Sequence, residues 1–578
     1  MGKLIPGVTT GLYSIARSEE LSTPTRKIGY ALTRGVRAIE LAADVPQEVT
    51  FTEGQEIRAM AKKQGLTISL HGPLNAAMEL PDRYDWRDAD DLMKRAARTA
   101  CHLGAIYIDF HASINMWLEL LTYTGRRLTL TFADHEGNFF SIMLRKNTKL
   151  RKWFIKKRLE KYFHDILTRD DRNRIAARID NEIRTERERR VQKISEGRRT
   201  GQLTPQEAEI EFKRMVDELT EKQTKLESSV LRDELERKLT RGDPWESEDL
   251  RGLSGVLEGY HIMFRYLFYT QDPQFTSMMK FYKPVLDKYN LNFSNDDWPD
   301  YATKKMEDEN DFNFKEFFYS VCAAKYIEGH LIKLKEWIKK ELIDKEFVGK
   351  PELQEYARKL RVGIESPDAR DPSYPGRYMI WRPKQIYSMV RTIRQIMKDD
   401  FVWMIPDFEH TAMQGADSVL EFEELVKLIP DYSEYVIAVH ANSPNPLQPH
   451  NPIEYGDMRL YRCFYALKQT GLAKNRDVYL FFERGGGEDP FKKSIDALRL
   501  IIESLEKNIE PDNLPLSFFG ITEKFEGNQL RQSQIVKDHA YDVMKDLLEM
   551  PEEDWTMLSQ AAIRKGKKPE QWKRGEFR

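Results

Sequence analysis

The chain alternates short apolar runs with longer stretches whose apolar residues recur every three or four positions. Leu4–Leu12, Arg37–Ala42, Leu66–His71 and Ala105–His111 read as strands. Thr25–Gly35, Glu53–Gly65 and Asp88–Gly104 read as the helices between them, each stopping at a glycine. This rhythm predicts parallel strands joined by crossover helices. It breaks at His111 and resumes with helices at Tyr319–Leu342 and Lys350–Lys359. The strands Leu360–Glu365, Phe401–Asp407, Tyr435–His440 and Val478–Glu483 follow. The helices Arg382–Met397, Ala416–Leu428, Met458–Thr470 and Lys492–Asn508 separate or close them. Eight such units make an α/β chain of the (β/α)8 TIM barrel type, interrupted by a large, mostly helical insertion after strand four. The alternative is an open doubly wound sheet.

The reading divides the chain into four parts. Residues 1–116 and 319–510 form the barrel, 117–318 the inserted hairpin plus helical domain, and 511–578 a helical extension with a basic tail. The insertion opens with a predicted hairpin, Arg127–Ala133 against Phe139–Leu144, turned at Asp134–Asn138. From Arg145 to Lys161 there are nine Lys/Arg and one acid. Arg145, Lys146, Lys149, Arg151, Lys152, Lys156, Lys157 and Arg158 are therefore candidates for following a phosphate backbone. Trp153, Phe154, Tyr162 and Phe163 are available in the same segment for stacking on bases. Residues 205–240 balance Glu against Lys/Arg and read as a solvated helix or helical hairpin. Residues 255–318 are aromatic-rich and read as a compact helical unit.

Composition changes this picture little. Of 578 residues 40% are hydrophobic, enough for a sizeable core, and the formal net charge of −2 names no partner. Cys101, Cys322 and Cys463 form no paired motif, which excludes a cysteine-rich zinc site and fits a reducing compartment. The first residues lack an apolar signal core, and no apolar run reaches membrane-spanning length. The expectation is a soluble, intracellular, cytoplasmic protein with no membrane partner.

Candidate chemistry gathers at the predicted strand ends. His71, His111, Glu365, Asp407, His440 and Glu483 each close a strand, His410 follows Asp407 by three, and His450 lies in the loop after His440. In a barrel these carboxyl ends converge on one mouth. Carboxylates and imidazoles together suit zinc, manganese or iron, and three or more histidines disfavour magnesium and calcium. One by one, each residue has a plainer use as a cap, a core hydrogen bond or a salt bridge. Glu40 is an extra ligand or a plain barrel residue, with the plain reading favoured. Arg17, Arg377, Arg382 and Arg484 are candidate phosphate clamps or surface arginines.

In order and in strand position, this set resembles the metal ligands of endonuclease IV (AP endonuclease family 2). That family lies within the xylose-isomerase-like barrel superfamily. The resemblance covers roughly residues 1–116 and 319–510. It implies one zinc on His71, His111 and Glu365, and a second on Glu365, Asp407, His440 and Glu483, with Glu365 bridging. It implies a third on His410 and His450. The family's aspartate two residues before the last histidine is Gln448 here, a departure that bears on the third ion. The implied activity is backbone cleavage at abasic or damaged DNA by metal-activated water, with Glu365 and Glu483 as the catalytic carboxylates.

Three functions follow. The first is a metal-dependent endonuclease acting on nucleic acid, DNA foremost, with two to three zinc ions (or manganese or iron). The second is a metal-dependent sugar or sugar-phosphate isomerase or epimerase, which needs only Glu365, Asp407, His440 and Glu483 around one ion, with Glu365 or Glu483 as base. The third is a binding or assembly protein with a retained metal site, using the insertion as its surface for a protein partner. The substrate, the oligomeric state and the role of the insertion are not legible in the chain.

Overall fold

The structure is a computed structural model that describes residues 2–10, 24–33, 35–42, 49–113, 132–159, 169–240, 256–367, 379–445, 451–483 and 490–521. Eight strands form one parallel sheet: β1 (Leu4–Thr10), β2 (Ala38–Ala42), β3 (Thr67–His71), β4 (Tyr107–His111), β5 (Arg361–Glu365), β6 (Val402–Ile405), β7 (Ala438–His440) and β8 (Val478–Glu483). Sequential neighbours pair from β1 to β6. β8 returns to pair with β1 on one side and β7 on the other. The two end strands meet through the parallel bridges Met404–Val436 and Asp407–His440. The sheet thus closes on itself, as the eight-unit rhythm predicts.

Strand periodicity fixes what each face carries. Along β4, Ile108 and Phe110 join the large core between sheet and helices, whereas Tyr107 belongs to a second, separate cluster inside the barrel. That interior cluster also holds Ala38, Trp403, Ile405, Ile437, Ala438 and Phe481. Two residues further along the same strand face, the interior turns polar. Ala38 leads to Glu40, Tyr107 to Asp109 and His111, Ile405 to Asp407, Ala438 to His440, and Phe481 to Glu483. The barrel therefore has an apolar floor with a polar tier above it, at the carboxyl ends of the strands.

The outer helices bury apolar stripes against the sheet. Phe51–Gln64 is capped by Thr50 and ends at Gly65; Arg83–Leu103 is capped by Asp82 and ends at Gly104. The fourth barrel helix is the long Phe312–Trp337, continued as a π-helix over Ile338–Glu346. It begins at Phe312, where Asp311 caps it, and packs against Arg83–Leu103 and Pro383–Met397. Its Gly329 lets the 132–139 loop come close, because a Cβ there would overlap the carbonyl oxygen of His135. Next to it, His330 is fully buried and stacks on Trp86 with ring centroids 4.1 Å apart.

The insertion corrects one expectation. Phe139–Leu144 is not a strand: the chain runs as helix over Phe140–Lys146 and again over Thr148–Phe154. Among the described residues the hairpin keeps the bridge Ala133–Phe139, around a turn in which Asp134 accepts the backbone N–H groups of Glu136 and Asn138, while Phe132 bridges to Asp82. The physical reason is spacing. Phe140, Met143 and Leu144 recur at helical intervals and are all buried, with Phe140 packed edge-on against Phe154. Arg127–Thr131 lies outside the described residues. Helices Arg169–Arg199 and Pro205–Thr240 form an antiparallel helical hairpin. Ile179, Met215, Leu219 and Val230 are buried along it, and Arg178–Asp233 and Arg190–Glu218 pair across it. The aromatic region packs as a unit in which Phe264, Phe268, Phe275, Trp298 and Phe317 interlock. None of the described helices is long and apolar enough to cross a membrane.

Candidate metal centre

Register brings the polar tier together. His111 pairs with Glu365, His71 with Asp109, Thr9 with both Glu40 and Glu483, and Asp407 bridges to His440. Glu365 stands at the centre. Its Oε2 lies 3.4 Å from Nε2 of His71 and 3.2 Å from Nε2 of His111. Its Oε1 lies 2.8 Å from Nδ1 of His440 and 3.0 Å from Nδ1 of His410. Nδ1 of His440 is also 3.5 Å from Glu483 and 3.8 Å from Asp407.

Two groups with metal-ligand spacing result: His71, His111 and Glu365, and Glu365, Asp407, His410 and Glu483. Within each group the donor atoms lie within 4.8 Å of one another. Glu365 belongs to both. The second group differs from the expected one, because His410 takes the place of His440 in it instead of standing apart for a third ion; His440 groups with Glu40 and Asp109, while its Nδ1 stays 2.8 Å from Glu365. The helix Phe408–Met413 explains this: Asp407 caps it, its Oδ1 accepting the backbone N–H of His410, so the next turn carries the His410 ring back over the mouth. His450 and Gln448 lie outside the described residues.

The site is nearly dry. Glu365, Asp407 and His440 are fully buried, and only the side chains of His71 (8%), His111 (9%) and Glu483 (13%) reach solvent. Burial and the facing imidazoles and carboxylates shift one another's acidity. Burial alone would raise the Glu365 carboxyl, but the charges of His440, His111 and His410 hold it well below the usual range. Burial works equally against a charged His71, yet Glu365 and Asp109 push it up to about 10. Burial wins at Glu483, which rises to about 7, and it also raises Asp407. His111 is lowered, again chiefly by burial.

The donor set fits a divalent cation. Oε2 of Glu365, Nε2 of His111 and Oδ2 of Asp407 are buried and make no hydrogen bond, although Glu365 and His111 face one another at 3.2 Å. Buried polar atoms left in this way need an explanation, and a shared cation supplies one. The mix of imidazoles and carboxylates suits zinc, manganese or iron.

A third group, whose Asp109 the sequence reading missed, lies one step deeper: Glu40, Asp109 and His440. Glu40 is not a plain barrel residue. Its Oε1 lies 3.0 Å from Nε2 of His440, and it also accepts from Tyr107 (2.6 Å) and Thr9 (3.0 Å). Both were discoverable: Asp109 is two positions before His111 on the same strand face, and Glu40 is two positions after an interior residue.

The basic segment is only partly free. Lys152, Lys156 and Lys157 are exposed. Lys149 pairs with Asp296 at 2.9 Å, Lys146 lies 3.8 Å from Glu136, and Arg151 donates to the carbonyl of Arg145. The side chain of Arg158 lies outside the description, as do Tyr162 and Phe163. The stacking expectation fails for the two described aromatics. Phe154 is fully buried, and Trp153 is buried beneath Arg265 and donates to Asp300. Both are core residues of the insertion, because the apolar face of Thr148–Phe154 is the one that packs inward. Arg382 is engaged by Glu316 and Glu421 and is not a clamp. Arg17, Arg377 and Arg484 lie outside the described residues.

No family model matches the chain, and no curated protein matches it. Among solved structures it is similar to an L-ribulose 3-epimerase, at 8% identity and a TM-score of 0.38, over 89% of this chain and 99% of that one. It is also similar to D-psicose 3-epimerase from Clostridium cellulolyticum H10, solved with D-tagatose, at 8% identity and a TM-score of 0.31, over 88% and 97%.

Proposed function

We propose that the barrel mouth is a metal-dependent hydrolytic site acting on phosphate esters, with nucleic acid as the substrate class. One observation carries this reading: Glu365 is shared by two ligand groups, His71/His111 and Asp407/His410/Glu483. One carboxylate common to two groups is the arrangement of a two-ion centre. When bound, two close ions would polarise phosphate oxygens and make a hydroxide available at neutral pH. The chain's own residues do the rest. Glu365, held ionised by its imidazoles, fixes the spacing of the two groups. His71 and His111 form the solvent-facing wall, and their rings meet edge-on at 5.3 Å. Asp407 and His410 are locked to one another by the helix start. Glu483, at the mouth, is the carboxylate placed to take a proton from the attacking water or return one to the leaving oxygen. The exposed Lys152, Lys156 and Lys157 would attract a polyanion.

A sugar isomerase or epimerase is the second reading. It is favoured by a different observation: Glu365, Asp407, His410 and Glu483 already make a complete single-ion group. Two carboxylates beside one ion suit proton transfer at carbon. Here His111 would be dispensable.

The test runs both chemistries on one metal-loaded preparation. A labelled duplex with an abasic-site analogue is incubated beside undamaged duplex, and ketoses are incubated in deuterated water. Incision that is lost with chelator and in His111→Ala supports the hydrolase. Deuterium incorporation that survives His111→Ala, without incision, overturns it in favour of the isomerase.

A further inference from the structure

We propose that Glu40 is the positioning carboxylate of the metal centre, holding His440 so that its Nδ1, and not its Nε2, faces the ions. The inference rests on the metal-site reading but not on which reaction the site performs.

The ring of His440 is fully buried, and its two nitrogens point to different tiers. Nδ1 faces upward, 2.8 Å from Glu365, 3.5 Å from Glu483 and 3.8 Å from Asp407. Nε2 faces downward, 3.0 Å from Glu40. Asp109 comes no closer to Nε2 than 3.7 Å, so Glu40 takes that proton. A ligating imidazole has one lone pair to give, and the partner of its other nitrogen decides which one. With an ion bound, donation of Nε2–H to Glu40 would leave the lone pair on Nδ1, where Glu365, Asp407 and Glu483 converge.

Glu40 is itself fastened from two further strands. Thr9 on β1 donates to the oxygen that receives His440, and Tyr107 on β4 donates to the other. Four strands thus meet on one carboxylate, fully buried just above the apolar floor. This also argues against Glu40 as a ligand of a deeper ion with Asp109 and His440. Such an ion would need the Nε2 that Glu40 already engages, and would turn His440 into an anion bridging two sites. An acid fixed by Thr9 and Tyr107 and turned toward one imidazole is built to orient that imidazole.

The experiment uses the full chain, stripped of metal and reloaded with Co2+, as wild type and as Glu40→Ala, Glu40→Gln and Tyr107→Phe. Three quantities are read: ions per chain, Co2+ affinity by titration calorimetry, and the visible absorption of the bound Co2+. Circular dichroism of the ion-free variants checks that each is folded. The expected result is a loss of affinity of about 10- to 100-fold in Glu40→Ala with ion number unchanged. Glu40→Gln keeps an acceptor and recovers part of the loss. Tyr107→Phe loses less than Glu40→Ala, and the Co2+ bands shift in each Glu40 variant. If Glu40→Ala does not fold, Glu40→Gln and Tyr107→Phe decide alone. Unchanged affinity and spectrum in these variants would overturn the positioning role. Loss of one ion per chain would overturn it too, by making Glu40 a ligand. A wild-type chain that takes up no metal would remove the metal reading itself.

Discussion

Nδ1 of His440 and Oε1 of Glu365 lie 2.8 Å apart, on β7 and β5, two strands with β6 between them. Across a barrel, that contact needs both side chains to point inward at the same height, and it makes Glu365 the hub of the site. Glu365→Gln should therefore lose ions from both groups at once, whereas His111→Ala should lose them from one. Metal analysis of the purified variants by mass spectrometry tests the difference. Turnover of Glu365→Gln on whichever substrate is found should fall by about 10³-fold or more, given several kcal/mol of electrophilic stabilisation. A Glu365→Gln chain with full metal content would remove the shared-ligand argument.

The buried His330 makes a pH prediction. Burial, with Lys333 and Lys94 nearby, pushes this ring down to about 3. In the unfolded chain it titrates near 6.5, so above that pH both states are neutral and nothing is lost. As pH falls below 6.5 the unfolded state gains a proton that the folded state refuses, and stability drops until about pH 3. The cost is about 2 kcal/mol by pH 5. His330→Phe keeps the stack on Trp86 and removes the titration. Denaturant unfolding at pH 7 and pH 5 should show a smaller drop for the variant. Equal drops would place the acid sensitivity elsewhere.

The insertion's basic segment separates two kinds of residue. Lys152, Lys156 and Lys157 face solvent, so changing all three to alanine should leave the melting temperature within about a degree or two. If they track a phosphate backbone, nucleic-acid affinity should fall and the salt dependence should flatten by about three phosphate contacts. Trp153→Ala should instead cost about 3–5 kcal/mol, because the ring is core packing under Arg265. Stable Trp153→Ala with weakened nucleic-acid binding would restore the stacking role that its burial denies.

Two glycines give a contrasting pair. Gly329→Ala drives a methyl into the carbonyl of His135, a backbone atom, and should destabilise by about 1–3 kcal/mol. Gly29, on the exposed side of the helix Pro24–Thr33, has nothing within 4 Å of a new Cβ. Gly29→Ala should stabilise by up to about 1 kcal/mol through helix propensity. Thermal melts of the two variants side by side decide both.

The strands and the outer set of site residues were legible because a barrel strand leaves two plain signals, an apolar run and a polar residue where the run stops. His71, His111, Glu365, His440 and Glu483 all sit at such stops. Glu40 and Asp109 sit inside their runs, where a lone acid among apolar neighbours looks like noise until strand alternation is followed through the barrel. Trp153 misled for the opposite reason: an aromatic among lysines reads as exposed, but the helix turns it inward. Phe139–Leu144 misled because its six residues carry both helical and strand spacing, and the partner surface decides. His410 moved groups because a helix cap, invisible as ligand spacing, sets where its ring points.

The apolar floor of Tyr107, Trp403, Ile405 and Phe481 has a consequence for traffic. Among the described residues it closes the barrel below the polar tier, so the site is approached from the carboxyl ends of the strands. On the proposed function, ions, substrate, product and water would all share that approach. A bound substrate would then be a cork over the ions, and a chelator should strip them more slowly from the substrate-loaded protein than from the free one.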